Sequence, residues 1–314
     1  MRLIDGAEVR ERLTFDVCIP IVRDAMMRFS QGVTRQVLRS ILPLGGEHMF
    51  GVMPGALGKD LPFGAKIVSV YPENAARGGH SHQGLVLLFD AGSGAPVCLV
   101  DAAEVTAIRT AAASAAATDV LSRTDASRLA LLGSGAQALN HACAIACVRP
   151  LQSVTLWARN AERAVRAGEL IASRLGLSVD VRETVEDAVA DADIICTVTA
   201  SPEPILKGGS LRPGAHVNVV GSSHAGPAEV DSDLVVRSRF IADSREGVLA
   251  QGAEFLIAKA AGLVGDDHVV GEIGEVLLGR LVGRQSAEEI TVYKSLGHIV
   301  QDLAAAHWLY STEA

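Results

Sequence analysis

This chain of 314 residues is short of aromatic side chains, has no excess of basic over acidic groups and contains no C-x-x-C pair. Aromatics make up 4% and the formal net charge is −8. That balance argues against a nucleic-acid partner while leaving room for a local basic pocket. Of the five cysteines, Cys143 and Cys147 stand four apart, but no His/Cys pair follows at zinc spacing. Cys18, Cys98, Cys143, Cys147 and Cys196 therefore read as small buried hydrophobes in a reducing compartment, with no metal site. No apolar signal core follows the opening MRLIDGAEV, and no uncharged apolar run reaches the ~18 residues of a membrane span. The expectation is a soluble, cytoplasmic protein with no membrane partner.

Apolar residues reach 49%, enough for sizeable cores, and glycine and alanine are plentiful, as close helix–sheet packing requires. The most informative stretch is RLALLGSGAQA, 128–138. A short apolar run ends in Gly133, Ser134, Gly135, Ala136 and Gln137, and Ala138 completes G-x-G-x-x-A, the form of a dinucleotide-binding turn. Gly133 permits the sharp turn. Gly135 lets a pyrophosphate approach the backbone, and the free N–H groups of the helix that follows face the phosphates. A lone glycine turn would be weak support. Here alternating strand and helix signals follow it.

The first third reads differently. Asp5 and Thr14 look like helix caps, and an apolar helical face runs through residues 17–29. Strands are expected at 37–44, 48–53, 65–71, 83–90 and 96–101, punctuated by glycine and proline as in an antiparallel sheet. From about Ala102 a long alanine-rich helix leads away. Strands at 128–132, 153–158, 178–181, 193–198, 216–220 and 239–242 then alternate with helices, the signature of a covered parallel sheet. After about residue 290 the pattern leaves this sheet, and 297–310 reads as one amphipathic helix returning to the first domain. The fold class expected is α/β, a Rossmann-type doubly wound parallel sheet (114–290) inserted in a smaller α+β substrate-binding and dimerisation domain (1–113 plus 291–314).

In a dinucleotide fold, an acidic residue at the end of the second strand holds the adenosine ribose. Here Arg159 stands at that place, followed by Asn160 and Arg163. A guanidinium there can grip a 2′-phosphate, which favours NADP(H), with NAD(H) possible. Thr197, Val198 and Thr199 close the fourth strand, where strand ends line a nucleotide crevice.

Three cations mark the first domain: Arg39, Lys66 and Arg109. Arg109 interrupts an apolar helix, and a buried arginine needs an anionic partner, either a protein carboxylate or a substrate carboxylate held bidentately. Lys66 sits within a strand, among Ile67, Val68 and Val70, where an edge-strand lysine guarding a sheet rim is the alternative. In GGHSHQG, 78–84, H-x-H offers no convincing third metal ligand. His80 reads as loop chemistry, and His82 and Gln83 as hydrogen-bonding pocket residues.

Taken together, RSILP (39–43), FGVMPG (50–55), AKIVSVYPEN (65–74), SHQG (81–84), VTAIRTAAASA (105–115), LLGSGAQA (131–138), TVTASPEPIL (197–206), PGAHVNVVGSS (213–223) and VYKSLGHIVQDLAAA (292–306) carry a resemblance. The chain resembles the ornithine cyclodeaminase/μ-crystallin family over nearly its whole length. The resemblance implies a homodimer whose first domain binds substrate and whose Rossmann domain binds a nicotinamide coenzyme. It implies that Arg39, Lys66 and Arg109 bind a substrate carboxylate, that Phe50 and Met53 form pocket wall, and that His82 and Gln83 flank the substrate. Val220, Gly221, Lys294 and Gly297 fall in matching motifs on the coenzyme side.

Cyclodeaminases of this family carry an aspartate shortly after the strand ending VVG. Here the loop reads Gly221-Ser222-Ser223-His224, with no carboxylate before Glu229. Serine removes the strongest nearby base, and ketimine reductases of the family show serine there, which places Ser223 at the substrate. The resemblance then implies reduction of Δ1-pyrroline-2-carboxylate or Δ1-piperideine-2-carboxylate to L-proline or L-pipecolate, with Lys66 as a possible proton donor. An NAD-dependent cyclodeaminase or amino-acid dehydrogenase is the alternative, and a non-catalytic small-ligand binder is a third.

Overall fold

The computed structural model describes residues 1–46, 48–77 and 81–312. Two compact units divide the chain, one of Met1–Arg109 with His298–Ala314, the other of Thr110–Gly297.

The first unit is built on a seven-stranded sheet. Its strands are β1 (Arg2–Ile4), β2 (Arg35–Gln36), β3 (Ser40–Gly45), β4 (His48–Ala56), β5 (Phe63–Val70), β6 (His82–Phe89) and β7 (Pro96–Asp101). The order is β1-β7-β6-β5-β4-β2, with β3 also on β4. Only β1, a strand that the sequence pattern did not reveal, runs parallel to its neighbour. Helix α1 (Gly6–Arg12) starts at Asp5, whose carboxylate accepts the N–H groups of Ala7 and Glu8. Thr14 stands at the N-cap of α2 (Phe15–Ser30) but makes no capping bond with its side chain. The buried stripe of α2 is Cys18, Ile19, Val22, Ala25 and Met26. The C-terminal helix, Ile299–Ser311, packs against α2 and against β4, β5 and β6.

Strand alternation decides which side chains meet that helix. Met53, Lys66 and Val86 share one cross-strand row. Lys66 and Val86 are buried, whereas Ile67 and Leu85, one residue along, are exposed on the other face. Gly55, on the face of Met53, would bring a Cβ to 2.9 Å from Ile299 Cγ2, which fixes this as the helix-covered side.

Helix α3 (Ala102–Leu121) leads into the second unit. There β8 (Arg128–Leu132), α4 (Ala136–Ala146), β9 (Ser153–Trp157), α5 (Ala161–Leu175), β10 (Val179–Val181), α6 (Val185–Val189), β11 (Ile194–Thr197) and β12 (His216–Val219) follow in turn. Next come α7 (Ser232–Arg237), β13 (Ser238–Ala242), α8 (Arg245–Gln251), α9 (Ala253–Ala260), β14 (Val269–Glu272), α10 (Ile273–Leu277) and β15 (Ile290–Lys294). All eight strands are parallel, in the order β10-β9-β8-β11-β12-β15-β13-β14. The chain winds outward from β8 through β9 to β10, then returns to lay β11 on the other side of β8. That reversal is the switch point at which open α/β sheets bind ligands.

The sequence pattern missed β14 and β15. The latter corrects the expectation that the sheet ends near residue 290. All five residues of Ile290–Lys294 are buried, because this strand lies between β12 and β13. A buried strand reads as a short unbroken run with no alternation to mark it.

Candidate active site

In the first unit, β5, α3 and the C-terminal helix each bring a charged side chain to one buried cluster. Lys66 Nζ donates to Asp302 Oδ1 at 3.1 Å and to Thr106 Oγ1 at 2.5 Å. Arg109 Nε donates to the same Asp302 oxygen at 3.0 Å, and its Nη1 donates to Gln301 Oε1 at 3.0 Å. Relative exposure is 4% for Lys66, 5% for Arg109 and 0% for Asp302. Arg109 therefore has a protein carboxylate as its partner, one of the two alternatives its position posed. Lys66 lies in a strand flanked on both sides, so it is no rim lysine.

The charges do not cancel within this cluster. One carboxylate serves two cations through a single oxygen, and Asp302 Oδ2 has no hydrogen-bond partner among the described residues. Burial works to raise the pKa of Asp302, but the charges of Arg109 and Lys66 outweigh it and hold the carboxyl below its usual range. Burial, helped by Arg109 and Arg39 and opposed by Asp302, brings Lys66 down from 10.5 to about 8. Arg39, just before β3, is thus close enough for its charge to act on Lys66. It acts on His298 too, whose pKa is pushed to about 4, chiefly by burial and then by Arg39. His298 caps the C-terminal helix, lies tilted against Phe29 with ring centroids 4.2 Å apart and is neutral at physiological pH.

Sheet register sorts the remaining residues. Met53 and His82 lie on the face of Lys66. Phe50 pairs with Ser69, and Ser69 with Gln83, in a row on the opposite face. The structure does not bring Phe50 or Gln83 to the cations, because each stands an odd number of residues from the strand position that does face them. His80 lies outside the described residues. Cys147 is exposed and Cys143 half-buried, which corrects the reading of all five cysteines as buried.

Sequence reasoning missed Asp302, Gln301, Thr106 and His298. A signal existed for Asp302: within HIVQDLAAA, it is the one charged residue in an apolar helical run.

In the second unit, β8, β11 and β12 are neighbours, and their C-terminal loops gather the residues expected on the coenzyme side. Gly133 has φ +127°, and a Cβ there would sit 2.8 Å from Val198 O. Gly135 is the N-cap of α4, with no side-chain cap and nothing within 4 Å of where a Cβ would stand. A close turn followed by an open, uncapped helix start fits a pyrophosphate. Ser134, Ala136 and Gln137 belong to this turn and the first turn of α4. After β9, Arg159 is exposed, whereas Asn160 caps α5 by accepting Arg163 N at 2.8 Å.

Other expected coenzyme residues point inward. Thr197 and Lys294 are 0% exposed. Lys294 Nζ pairs with Glu254 at 2.7 Å and donates to Ser222 O at 2.7 Å. Gly297 N donates to buried Asp243 at 2.7 Å. Val198, Thr199, Val220 and Ser223 are half-buried and Gly221 is exposed.

A buried cluster of two cations around Asp302 and a parallel sheet with a glycine turn at its switch point are the parts of a coenzyme-dependent α/β enzyme. The family model of the ornithine cyclodeaminase/mu-crystallin family matches residues 2–313, and the chain belongs to that family. It is 35% identical over 314 residues to the ketimine reductase mu-crystallin of Rattus norvegicus, covering 98% of this chain and 96% of the relative. It is 31% identical over 312 residues to a Delta(1)-pyrroline-2-carboxylate reductase of Bacillus cereus, covering 99% and 96%. The solved Thermococcus litoralis Delta(1)-pyrroline-2-carboxylate reductase, in complex with NADH and L-proline, superposes with a TM-score of 0.96 at 31% identity, covering 99% of this chain and 96% of the other.

Proposed function

We propose that this protein reduces cyclic ketimine 2-carboxylates with a nicotinamide coenzyme, converting Δ1-pyrroline-2-carboxylate or Δ1-piperideine-2-carboxylate to L-proline or L-pipecolate. The observation that carries the reading is the charge imbalance around Asp302: two buried cations, Lys66 and Arg109, share one carboxylate. A buried excess of positive charge calls for an anion, and a carboxylated substrate supplies it. The direct test mixes the protein with NADPH or NADH and chemically generated pyrroline-2-carboxylate and follows coenzyme absorbance. No oxidation with either coenzyme, alongside ammonia release from ornithine and NAD, would replace this reading with a cyclodeaminase.

A nicotinamide coenzyme, when bound, would supply the hydride that C2 of the imine requires. The chain's own residues supply position and charge. Arg109 is pre-aimed by Asp302 and Gln301, which leaves Nη2 of its fork for the substrate carboxylate. Lys66 pairs with the same carboxylate and, with its pKa near 8, can pass a proton to the imine nitrogen if the substrate arrives neutral. His298, lowered to about 4, adds no further positive charge. Ser223, standing where cyclodeaminases have a carboxylate, offers no strong base to drive amine loss.

This pKa sets a pH dependence. Furan-2-carboxylate, a mimic with no titrating nitrogen, binds more weakly as pH rises through about 8 and Lys66 loses its charge. Over the next 1–2 pH units its Kd climbs about tenfold, the difference that one charge-assisted contact makes. Isothermal titration from pH 6.5 to 9.5 measures it, and Lys66→Met flattens the curve. The sign for stability is opposite. A lysine lowered on folding binds fewer protons than in the unfolded chain, so between pH 8 and 10.5 its burial cost is relieved as pH rises.

NADP(H) is the favoured coenzyme, since exposed Arg159 follows β9 where an acidic residue would hold an unphosphorylated ribose. Arg159→Asp shifts the NADPH:NADH ratio of kcat/KM toward NADH by at least tenfold. An unchanged ratio places the phosphate grip elsewhere. The protein works as a homodimer: Leu42, Phe50, Ile67 and Leu85 leave the uncovered sheet face apolar, each more than a third exposed, and a second copy of the chain covers it. No helix among the described residues is long and apolar enough to cross a membrane.

A further inference from the structure

Glu229 is 0% exposed in the second unit and touches both loops at the ends of β11 and β12. Its Oε1 accepts Thr199 N at 2.6 Å and Thr199 Oγ1 at 2.8 Å. Its Oε2 accepts Thr197 Oγ1 at 2.7 Å and Gly221 N at 2.6 Å. Four donors thus converge on two oxygens, which is the full capacity of an ionised carboxylate. The loops are drawn so close that a Cβ on Gly221 would lie 2.0 Å from Thr199 O and 2.5 Å from Glu229 Oε1. Glu229 is itself anchored: its N–H donates to Glu254 Oε1 at 3.1 Å. Glu254 pairs with Lys294 at 2.7 Å and accepts the hydroxyl of Ser222. Gly221 N–H and Glu229 N–H are therefore both held by one buried network.

We propose that Glu229 is a positioning residue that latches the loop after β11 to the loop after β12 and so shapes the floor of the coenzyme crevice. The inference rests on the coenzyme reading given above for Val198, Thr199, Val220 and Gly221. No other neutral or charged side chain of this length can replace the carboxylate. Glutamine turns one oxygen into an NH2 group, which then faces either Thr199 N–H or Gly221 N–H. Hydroxyl donors can rotate away, but backbone N–H groups cannot. One loop is released in either orientation, and its buried N–H is left unpaired.

The test measures NADPH and NADH binding by full-length protein without substrate, using nucleotide fluorescence, followed by steady-state kinetics at saturating coenzyme. Glu229→Gln raises the coenzyme Kd at least tenfold, while the KM for pyrroline-2-carboxylate stays within about twofold. Thr197→Val, nearly isosteric and fully enclosed, removes one of the four donors and leaves both backbone contacts, so it raises the Kd by only a few fold. Failure of wild-type protein to bind either nucleotide would sink the coenzyme reading itself. Tight wild-type binding with an unchanged Kd in Glu229→Gln would overturn the latch alone. If Glu229→Gln does not fold, Thr197→Val decides, and wild-type affinity in that variant counts against the proposal. Equal losses in coenzyme Kd and imine KM also overturn it, since a latch confined to one crevice does not predict them.

Discussion

Arg109→Ala lowers kcat/KM for the imine by roughly 150- to 5,000-fold, the equivalent of ~3–5 kcal/mol for breaking a buried charge pair. Alanine is the best helix former, so α3 itself is not weakened. What is lost is a guanidinium held in one orientation by Asp302 and Gln301. The loss falls mainly on KM, because the carboxylate contact is made in the ground state as well as the transition state. Coenzyme affinity, measured without substrate, stays at its wild-type value. Arg109→Lys keeps the charge but not the planar fork, and recovers only part of the efficiency. Wild-type efficiency in Arg109→Ala would remove the carboxylate clamp, and with it the proposed substrate class.

Asp302→Asn has the second large effect, and it acts on stability as well as activity. The substitution leaves Lys66 and Arg109 buried without their shared counter-charge, a loss of ~3–5 kcal/mol. For a unit of this size, thermal unfolding of that unit moves down by on the order of 10 °C. A carboxylate whose pKa is lowered on folding stabilises at every pH above its unfolded value, and that contribution fades as pH falls through the lower, folded value. The part of the Asp302→Asn deficit that comes from the lost carboxylate charge shrinks as pH falls into strong acid. Lys66 also loses the one influence that holds its pKa up, so the alkaline limb of carboxylate binding moves below the wild-type position near 8. A merely structural aspartate would lower the melting temperature without moving that limb. Differential scanning calorimetry and the furan-2-carboxylate titration separate the two.

Much of this molecule is legible without coordinates because the signals are local. The glycine turn at 133–135 sits between an apolar strand and a helix start, each readable within a dozen residues. Lys66 and Arg109 stood out because each is a cation amid apolar neighbours. Their partner was hidden because it comes from a helix 193 residues beyond Arg109, and periodicity within one helix does not say which strand it will cover. Phe50 and Gln83 show the opposite limitation. Both lie close in sequence to residues on the clamp face, yet a strand turns successive side chains to opposite sides, and register became visible only in the folded sheet. Glu229 was noticed only as the first acid after Gly221. That its carboxylate faces the loops of two neighbouring strands is a tertiary fact with no local pattern.

Strand β15 carries a consequence for how the chain must come together. It is made after β13 and β14, yet it lies between β12 and β13, so those two strands have no edge to join until residues 290–294 have left the ribosome. The C-terminal helix, with Asp302, is made later still. During synthesis the nascent protein therefore holds two unfinished layers at once. A ribosome stalled at residue 285 displays the exposed edge of His216–Val219 as a template for wrong pairing. The interval before residues 290–294 emerge is the period in which this polypeptide most needs a chaperone.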